Sequence, residues 1–318
     1  MSNLKKVIKK ENKNLLESVS NEEEGTDHEE QDKEYSDEEY SDEEYSDEEY
    51  SDEESDNKFD GNTIICIKDG NIFKKIMDLL KEVLDIGIFI INEDGISLES
   101  LDSSHVSFIQ MLLKKEDFHK FIINKKREED LHFAVSMKSL CNILKCLNNG
   151  EQITISHEDG SNKITWIFQN LDTNTYQKFN LNLIEHETHD INIPKSDYHC
   201  RIKTMSSVLQ NILKNLAYIG DYLCINVNKE ENHIDFKSSG IDSDALIRMT
   251  KNEYTKLKLT KNITSSYSID YLTKYAKSSA FSSKVSIFLK TDAPILLEYK
   301  IDNLSGMIKF YIAPKSIV

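Results

Sequence analysis

Beyond residue 61 the chain alternates between two hydrophobic rhythms. Period-two runs predict strands at Asn62–Lys68, Ile86–Asn92, Ile96–Glu99 and His105–Leu113, the middle two joined by a turn at Asp94-Gly95. A helical rhythm over Ile72–Leu84 puts Ile72, Phe73, Ile76, Met77, Leu80, Val83 and Leu84 on one face, with Asp69-Gly70-Asn71 as turn and cap. A second helix fits Met137–Leu147, with Met137, Leu140, Cys141 and Leu144 inward, followed by strands at Gln152–Ser156, Lys163–Phe168 and Tyr176–Leu183. Residues 184–197 hold no sustained period, and Pro194 stops any helix, so they read as a connector. The order then restarts with strand His199–Lys203, helix Met205–Ala217, and strands Leu223–Val227, Ile234–Lys237 and Ala245–Thr250. A short helix near Ile269–Ala276 and strands Lys284–Leu289, Ile295–Ile301 and Met307–Ile312 complete it. The shared order of strand, helix, strands, helix, strands suggests a structural duplication, although the halves match poorly residue by residue.

The first 60 residues obey neither rhythm. YSDEE occurs four times from Tyr35 to Glu54, and residues 21–60 carry 22 acids and two lysines. Mutual repulsion and the lack of an apolar face predict a disordered acidic extension over 1–60. Ser36, Ser41, Ser46 and Ser51 each precede three acids, the context that acid-directed kinases favour. The extension reads either as an electrostatic or partner-binding tether or as a solubilising tail. Removing it changes the charge picture: the whole chain carries -17, whereas residues 61–318 hold 32 basic and 32 acidic side chains. The opening MSNLKKVIKK lacks the apolar core of a secretory signal, and Lys6, Lys9 and Lys10 are a small cluster for nuclear import. No apolar run reaches the ~20 residues of a membrane span, so no membrane partner is expected.

Candidate chemistry is sparse. Cys66, Cys141, Cys146, Cys200 and Cys224 form no CxxC pair or zinc spacing and read as free thiols in a reducing compartment. His186 and His189 lie in the connector without further converging ligands, so no metal or other cofactor is expected. Asp102-Ser103-Ser104-His105 contains acid, hydroxyl and base, but residues so close in sequence do not readily form a relay. No Gly-rich phosphate loop is present, and no enzyme is expected.

Opposite their apolar faces, the helices carry polar stripes. Lys74, Lys75 and Lys81 lie on the first, Lys138, Asn142 and Lys145 on the second, Ser207, Asn211, Lys214 and Tyr218 on the third, and Lys274 and Lys277 on the fourth. Gathered on one surface they would make a basic lining for phosphates, indifferent to base sequence; scattered, they solvate helices.

Five segments carry a resemblance: GNIFKKIMDLLKEV at 70–83, ISLESLDSSHVSFIQMLL at 96–113, SLCNILKC at 139–146, LAYIGD at 216–221 and DAPILLEYKIDNLSGMIKFYIAPK at 292–315. In order and spacing they resemble the proliferating cell nuclear antigen family of DNA sliding clamps over essentially all of 61–318. The lysine-, asparagine- and isoleucine-rich usage fits an AT-rich genome, such as that of a large DNA virus or a protist. The resemblance implies an α+β DNA-clamp fold with two similar domains, 61–183 and 198–318, joined by the connector 184–197. It also implies a ring-shaped homotrimer closed head to tail through strands matching Tyr176–Leu183 and Ser243–Thr250.

By the same resemblance, Lys74, Lys75, Lys81, Lys145, Lys214 and Lys274 face duplex DNA. Asn142 and Asn211 stand at usually basic positions, and Tyr218 replaces a family histidine. A front-face pocket for glutamine-and-anchor peptides is matched by Leu101, His105, Val106, Phe108, Ile191, Ile193, Pro194, Pro294, Tyr311, Ala313 and Pro314. Leu101 stands for a common methionine and Phe108 for a smaller aliphatic residue. In the loop Asn228–His233, Glu231 stands where many relatives carry a modified lysine. The implied partners are a DNA polymerase, a clamp loader, and ligase, flap-nuclease and repair proteins. The implied place is the nucleus, or a cytoplasmic replication compartment for a viral protein. A subunit of a checkpoint-like heterotrimer and a transcription-linked clamp would share the fold and differ in partners.

Overall fold

Strand alternation is the first physical consequence of the pattern. In Lys163–Asn170, for instance, Ile164, Trp166 and Phe168 are buried while their neighbours are not. A computed structural model describes residues 62–67, 70–123, 130–170, 173–186 and 197–315. The first half contains β1 (Asn62–Ile67), α1 (Gly70–Leu80), β2 (Ile86–Asn92), β3 (Gly95–Leu101), β4 (Ser107–Lys114) and β5 (Lys120–Ile122). It continues with β6 (Leu131–Ser136), α2 (Met137–Leu144), β7 (Gln152–Glu158), β8 (Lys163–Asn170) and β9 (Thr175–Asn182). The second contains β10 (Cys200–Met205), α3 (Ser206–Leu216), β11 (Tyr222–Asn228), β12 (His233–Ser239), β13 (Asp244–Thr250) and β14 (Lys256–Leu259). Then follow β15 (Ile263–Ser268), α4 (Ile269–Ala276), β16 (Lys284–Leu289), β17 (Ile295–Lys300) and β18 (Met307–Ile312).

The strand orders expose the duplication that residue identities hide. Sheet one runs β5-β1-β7-β8-β9, and the second half repeats that order as β14-β10-β16-β17-β18. Likewise β4-β3-β2-β6 is repeated as β13-β12-β11-β15. The halves fuse where β18 pairs antiparallel with β4, from Met307 opposite Leu112 to Ile312 opposite Ser107, which makes one nine-stranded sheet. The equivalents of these two strands, β9 and β13, are left as sheet edges. Two β-rich units of like topology therefore share one continuous sheet.

Several boundaries differ from the periodicity, each for a local reason. The first helix ends at Leu80 rather than Leu84; a looser turn carries Leu84 into the core through its N–H to the Leu80 carbonyl, 2.8 Å. The second ends at Leu144 rather than Leu147, after a start capped by Ser136 Oγ accepting from Ser139 N. The strand expected from His105 begins at Ser107, because His105 has φ 55° in a tight turn. The β2–β3 hairpin depends on Gly95, at φ 141°, where a Cβ would stand 2.0 Å from the Leu113 carbonyl oxygen. Strands β5, β6, β14 and β15 are additional to those the periodicity predicts. In β15, ITSSYS, small hydroxyl residues fill the alternation that apolar ones usually mark.

The helices pack as a connected layer: α1 on α2, α3 on α4, and the short 3-10 turn Lys277–Ala280 against both α1 and α3. An ion pair from Lys277 Nζ to Glu82 Oε2, 2.6 Å, ties the halves together at that seam. Beneath them Phe73, Ile76, Met77 and Leu80 of α1 and Leu209, Ile212, Leu213 and Leu216 of α3 enter a core shared with the sheets. Among the described residues no helix is long and apolar enough to cross a membrane.

Candidate DNA-facing layer and partner groove

The amphipathic helices bury one face, so their remaining side chains project from the helical layer. Lys75, Lys145 and Lys214 are exposed; Lys74, Lys81 and Lys274 are partly covered. Lys74 Nζ donates to the Leu147 carbonyl at 3.4 Å, and Lys145 Nζ to Asn142 Oδ1 at 3.2 Å. Lys81 and Lys145 converge on Cys141, where burial pushes the thiol up to about 11, reinforced by Asp78 and opposed by these two lysines. Lys274 is different. Its ammonium is 2.8 Å from Asp270 and lies over the Tyr271 ring at 5.6 Å; that hydrogen bond is the main reason its pKa is raised. Lys277, already paired with Glu82, is likewise less free than its stripe suggests. Asn142, Asn211 and Tyr218 are exposed on the same layer, Tyr218 at 79%.

The residues expected to line a partner groove come from segments far apart in sequence. β3 sets Leu101 opposite Phe108 of β4, and β18 sets Tyr311 opposite Phe108, with the two rings 6.0 Å apart. Beyond β18, Ala313 N donates to the Val106 carbonyl at 3.0 Å and holds the chain end beside the 102–107 loop. Leu101, His105, Pro294 and Ala313 are exposed, Val106, Tyr311 and Pro314 half-buried, and Phe108 buried. Tyr198, which periodicity did not single out, adjoins this wall with its ring 5.2 Å from that of Phe288. Burial pushes the Tyr311 hydroxyl up to about 12, helped by Tyr198, Glu298 and Glu99. Ile191, Ile193, Pro194 and His189 lie outside the described residues.

The 102–107 loop owes its shape to one carboxylate. Asp102 accepts from Ser104 N at 3.0 Å, from the N–H and Oγ of Ser107, and from Tyr271 Oη at 2.6 Å. Ser107 Oγ in turn meets Tyr275 Oη. Burial alone would raise the Asp102 pKa, but Tyr271, Ser107 and Ser104 together hold it below its ordinary value. Its acceptors are spent on fixing the turn and on α4, and His105 is exposed at positive φ. The apparent acid-hydroxyl-base string is thus a loop clamp between the two halves.

His186 Nδ1 meets only the Ile184 carbonyl, at 3.4 Å, and no cluster of three or more His, Cys, Asp or Glu suited to a metal occurs among the described residues. The five cysteines are free: Cys66, Cys141 and Cys200 are buried, Cys224 half-buried and Cys146 exposed.

Two family models match the chain in succession over residues 65–315. That of the proliferating cell nuclear antigen N-terminal domain covers residues 65–191, and that of its C-terminal domain covers residues 192–315. Members are non-catalytic scaffolds that act as sliding clamps and processivity factors, typically in the nucleus, and generally work with polymerases and clamp loaders. With both domain models in order across a duplicated, sheet-fused body, the chain belongs to the proliferating cell nuclear antigen family of sliding clamps.

Proposed function

We propose that this chain forms a head-to-tail homotrimeric ring around duplex DNA, without base specificity, and there docks replication and repair proteins. The carrying observation is the internal β18–β4 seam, whose equivalents β9 and β13 are both unpaired edges within one chain. An edge invites pairing, and a seam already built once between like units supplies a template for the joint between subunits. Tyr176 on β9 and Leu246 on β13, 70% and 51% exposed, are the apolar side chains such a joint would cover.

In this reading the domains are 61–183 and 198–318, with 184–197 connecting them across the outer surface. Lys74, Lys75, Lys81, Lys145, Lys214 and Lys274 attract phosphates, the last more weakly. The groove of Leu101, His105, Val106, Phe108, Pro294, Tyr311, Ala313 and Pro314, with Ile191, Ile193 and Pro194 of the connector, receives glutamine-and-anchor peptides of polymerase, ligase, flap nuclease and repair proteins. The protein works in the nucleus, or in a cytoplasmic replication compartment of a large DNA virus.

Light scattering on the full chain should give about 110 kDa, three times the 36.8 kDa protomer. With a clamp loader, it should lengthen polymerase products on circular primed DNA. A stable monomer at micromolar concentration, with no polymerase stimulation, overturns the proposal.

A further inference from the structure

The register across the nine-stranded sheet aligns one row that runs well past the groove residues, with Phe108 and Leu296 buried along it, Tyr311 and Phe288 half-buried, and Leu101, Arg201 and Lys258 exposed. Leu101 is opposite Phe108, Phe108 opposite Tyr311, Tyr311 opposite Leu296, and Leu296 opposite Phe288. Phe288 is then opposite Arg201, and Arg201 opposite Lys258. At ~4.8 Å per strand this row is about 29 Å long, apolar at one end and cationic at the other. Next to the cationic end, Lys203 is opposite Lys256.

Two like-charge pairs on neighbouring strands destabilise the sheet. None of the four cations has a carboxylate partner among the described residues; Arg201 overlies the Phe288 ring at 5.8 Å and lies near the Tyr198 hydroxyl. Lysines on the β14 edge could serve to block strand addition, but that does not account for Arg201 and Lys203 on the interior strand β10. The four side chains, with Ser286 and Phe288, border a shallow cavity of about 250 Å³.

We propose that this cationic strip is an extension of the partner groove that binds an acidic flank of the docked peptide. The inference rests on the groove reading. The chemistry follows from continuity: a peptide with apolar anchors at Tyr311 and Phe108 that continues along the row meets Phe288, then Arg201 and Lys258. These lie about 14 and 19 Å from Tyr311 at the sheet spacing, which is about four to six extended residues. Carboxylates at that offset neutralise charges that otherwise repel one another, and partners lacking them gain nothing from the strip.

The test uses the full chain and fluorescent synthetic peptides carrying a glutamine and two aromatic anchors. In one set Asp-Glu-Glu lies four to six residues to either side of the anchors; in the other, Asn-Gln-Gln replaces it. The acidic set should bind about fivefold more tightly at low ionic strength, with the gap closing toward about 0.5 M salt. The double variant Arg201→Glu/Lys258→Glu should erase the gap and leave the neutral set unchanged. Lys203→Gln/Lys256→Gln, which adds no new charge, should narrow it. No gap in the unaltered protein, or a gap that survives charge reversal, overturns the strip. So does a reversal that weakens binding of a short oligothymidine while leaving both peptide sets alone, since the strip would then be a nucleic-acid surface. Tyr311→Ala should weaken both sets equally; if it weakens neither, the groove reading fails independently of the strip.

Discussion

Asp102 occupies a stretch that by composition alone holds an acid, two hydroxyls and an imidazole, yet its contacts give it a different task. It is buried and takes hydrogen bonds from its own loop and from Tyr271 of α4, so it joins a first-half turn to a second-half helix. Asp102→Ala leaves the Ser104 and Ser107 N–H groups without their acceptor and should cost about 2 kcal/mol of unfolding free energy. It should also weaken groove peptides by loosening Val106 and Phe108, as read by denaturant melts and peptide titration. The sign of the pH effect follows from the lowered pKa. The folded carboxyl titrates below its ordinary 3.8, so its stabilisation is complete above that value and disappears as pH falls through the folded pKa. The stability gap between wild type and Asp102→Asn should therefore be constant near neutrality and shrink below about pH 4. A gap that widens in acid contradicts this assignment. No periodicity could have revealed the clamp, because its partners are separated by 169 residues.

At the level of elements, legibility tracked how fully apolar residues marked each face. Ile86–Asn92, Ile269–Ala276, Lys284–Leu289 and Met307–Ile312 stand as the periodicity placed them. β14 is four residues of alternating lysine and leucine at an edge, and β15 substitutes Ser265 for an apolar core position, so neither stands out by hydrophobicity. The lysine stripes are visible as stripes in the sequence, whereas the local pairing of Lys274 with Asp270 depends on side-chain geometry. That pairing separates two otherwise similar substitutions. Lys75→Ala should lower the salt dependence of DNA binding by about one unit of slope. Lys274→Ala should lower it less, because Asp270 already offsets part of its charge. Equal slopes in a salt titration would remove the distinction. On the edge strand β13, Leu246→Asp should dissociate the proposed trimer while shifting the protomer melt little, since an exposed side chain carries little folding energy. Sedimentation and thermal denaturation read the two effects separately.

Across the whole molecule, the proposed groove rests on resemblance, since no periodicity groups its residues. Leu101, Phe108, Pro294 and Tyr311 come from strands and turns nearly the length of the body apart, and the β18–β4 seam is what brings them together. The charge division was legible directly: residues 21–60 hold a net -20 and the body is neutral. Because phosphates are repelled by the former and attracted by the helix lysines, deleting residues 1–60 should strengthen weak DNA association. The gain should fade as salt rises. Replacing Ser36, Ser41, Ser46 and Ser51 by glutamate should act modestly in the opposite direction. A deletion that is neutral throughout a salt titration, with trimer content checked, would leave the extension a solubility element or a protein tether.

The seam inside each chain also dictates where a closed trimer can come apart. Six joints of similar strand geometry would run around such a ring, but three are spanned by a covalent chain and three are not. A parted internal joint stays at high local concentration of its own partner and re-forms; a parted subunit joint has no such leash. A loader needing a gap wide enough for duplex DNA therefore has three gates rather than six. Disulfides across the β9–β13 joints should block loading on circles only when all three gates are locked.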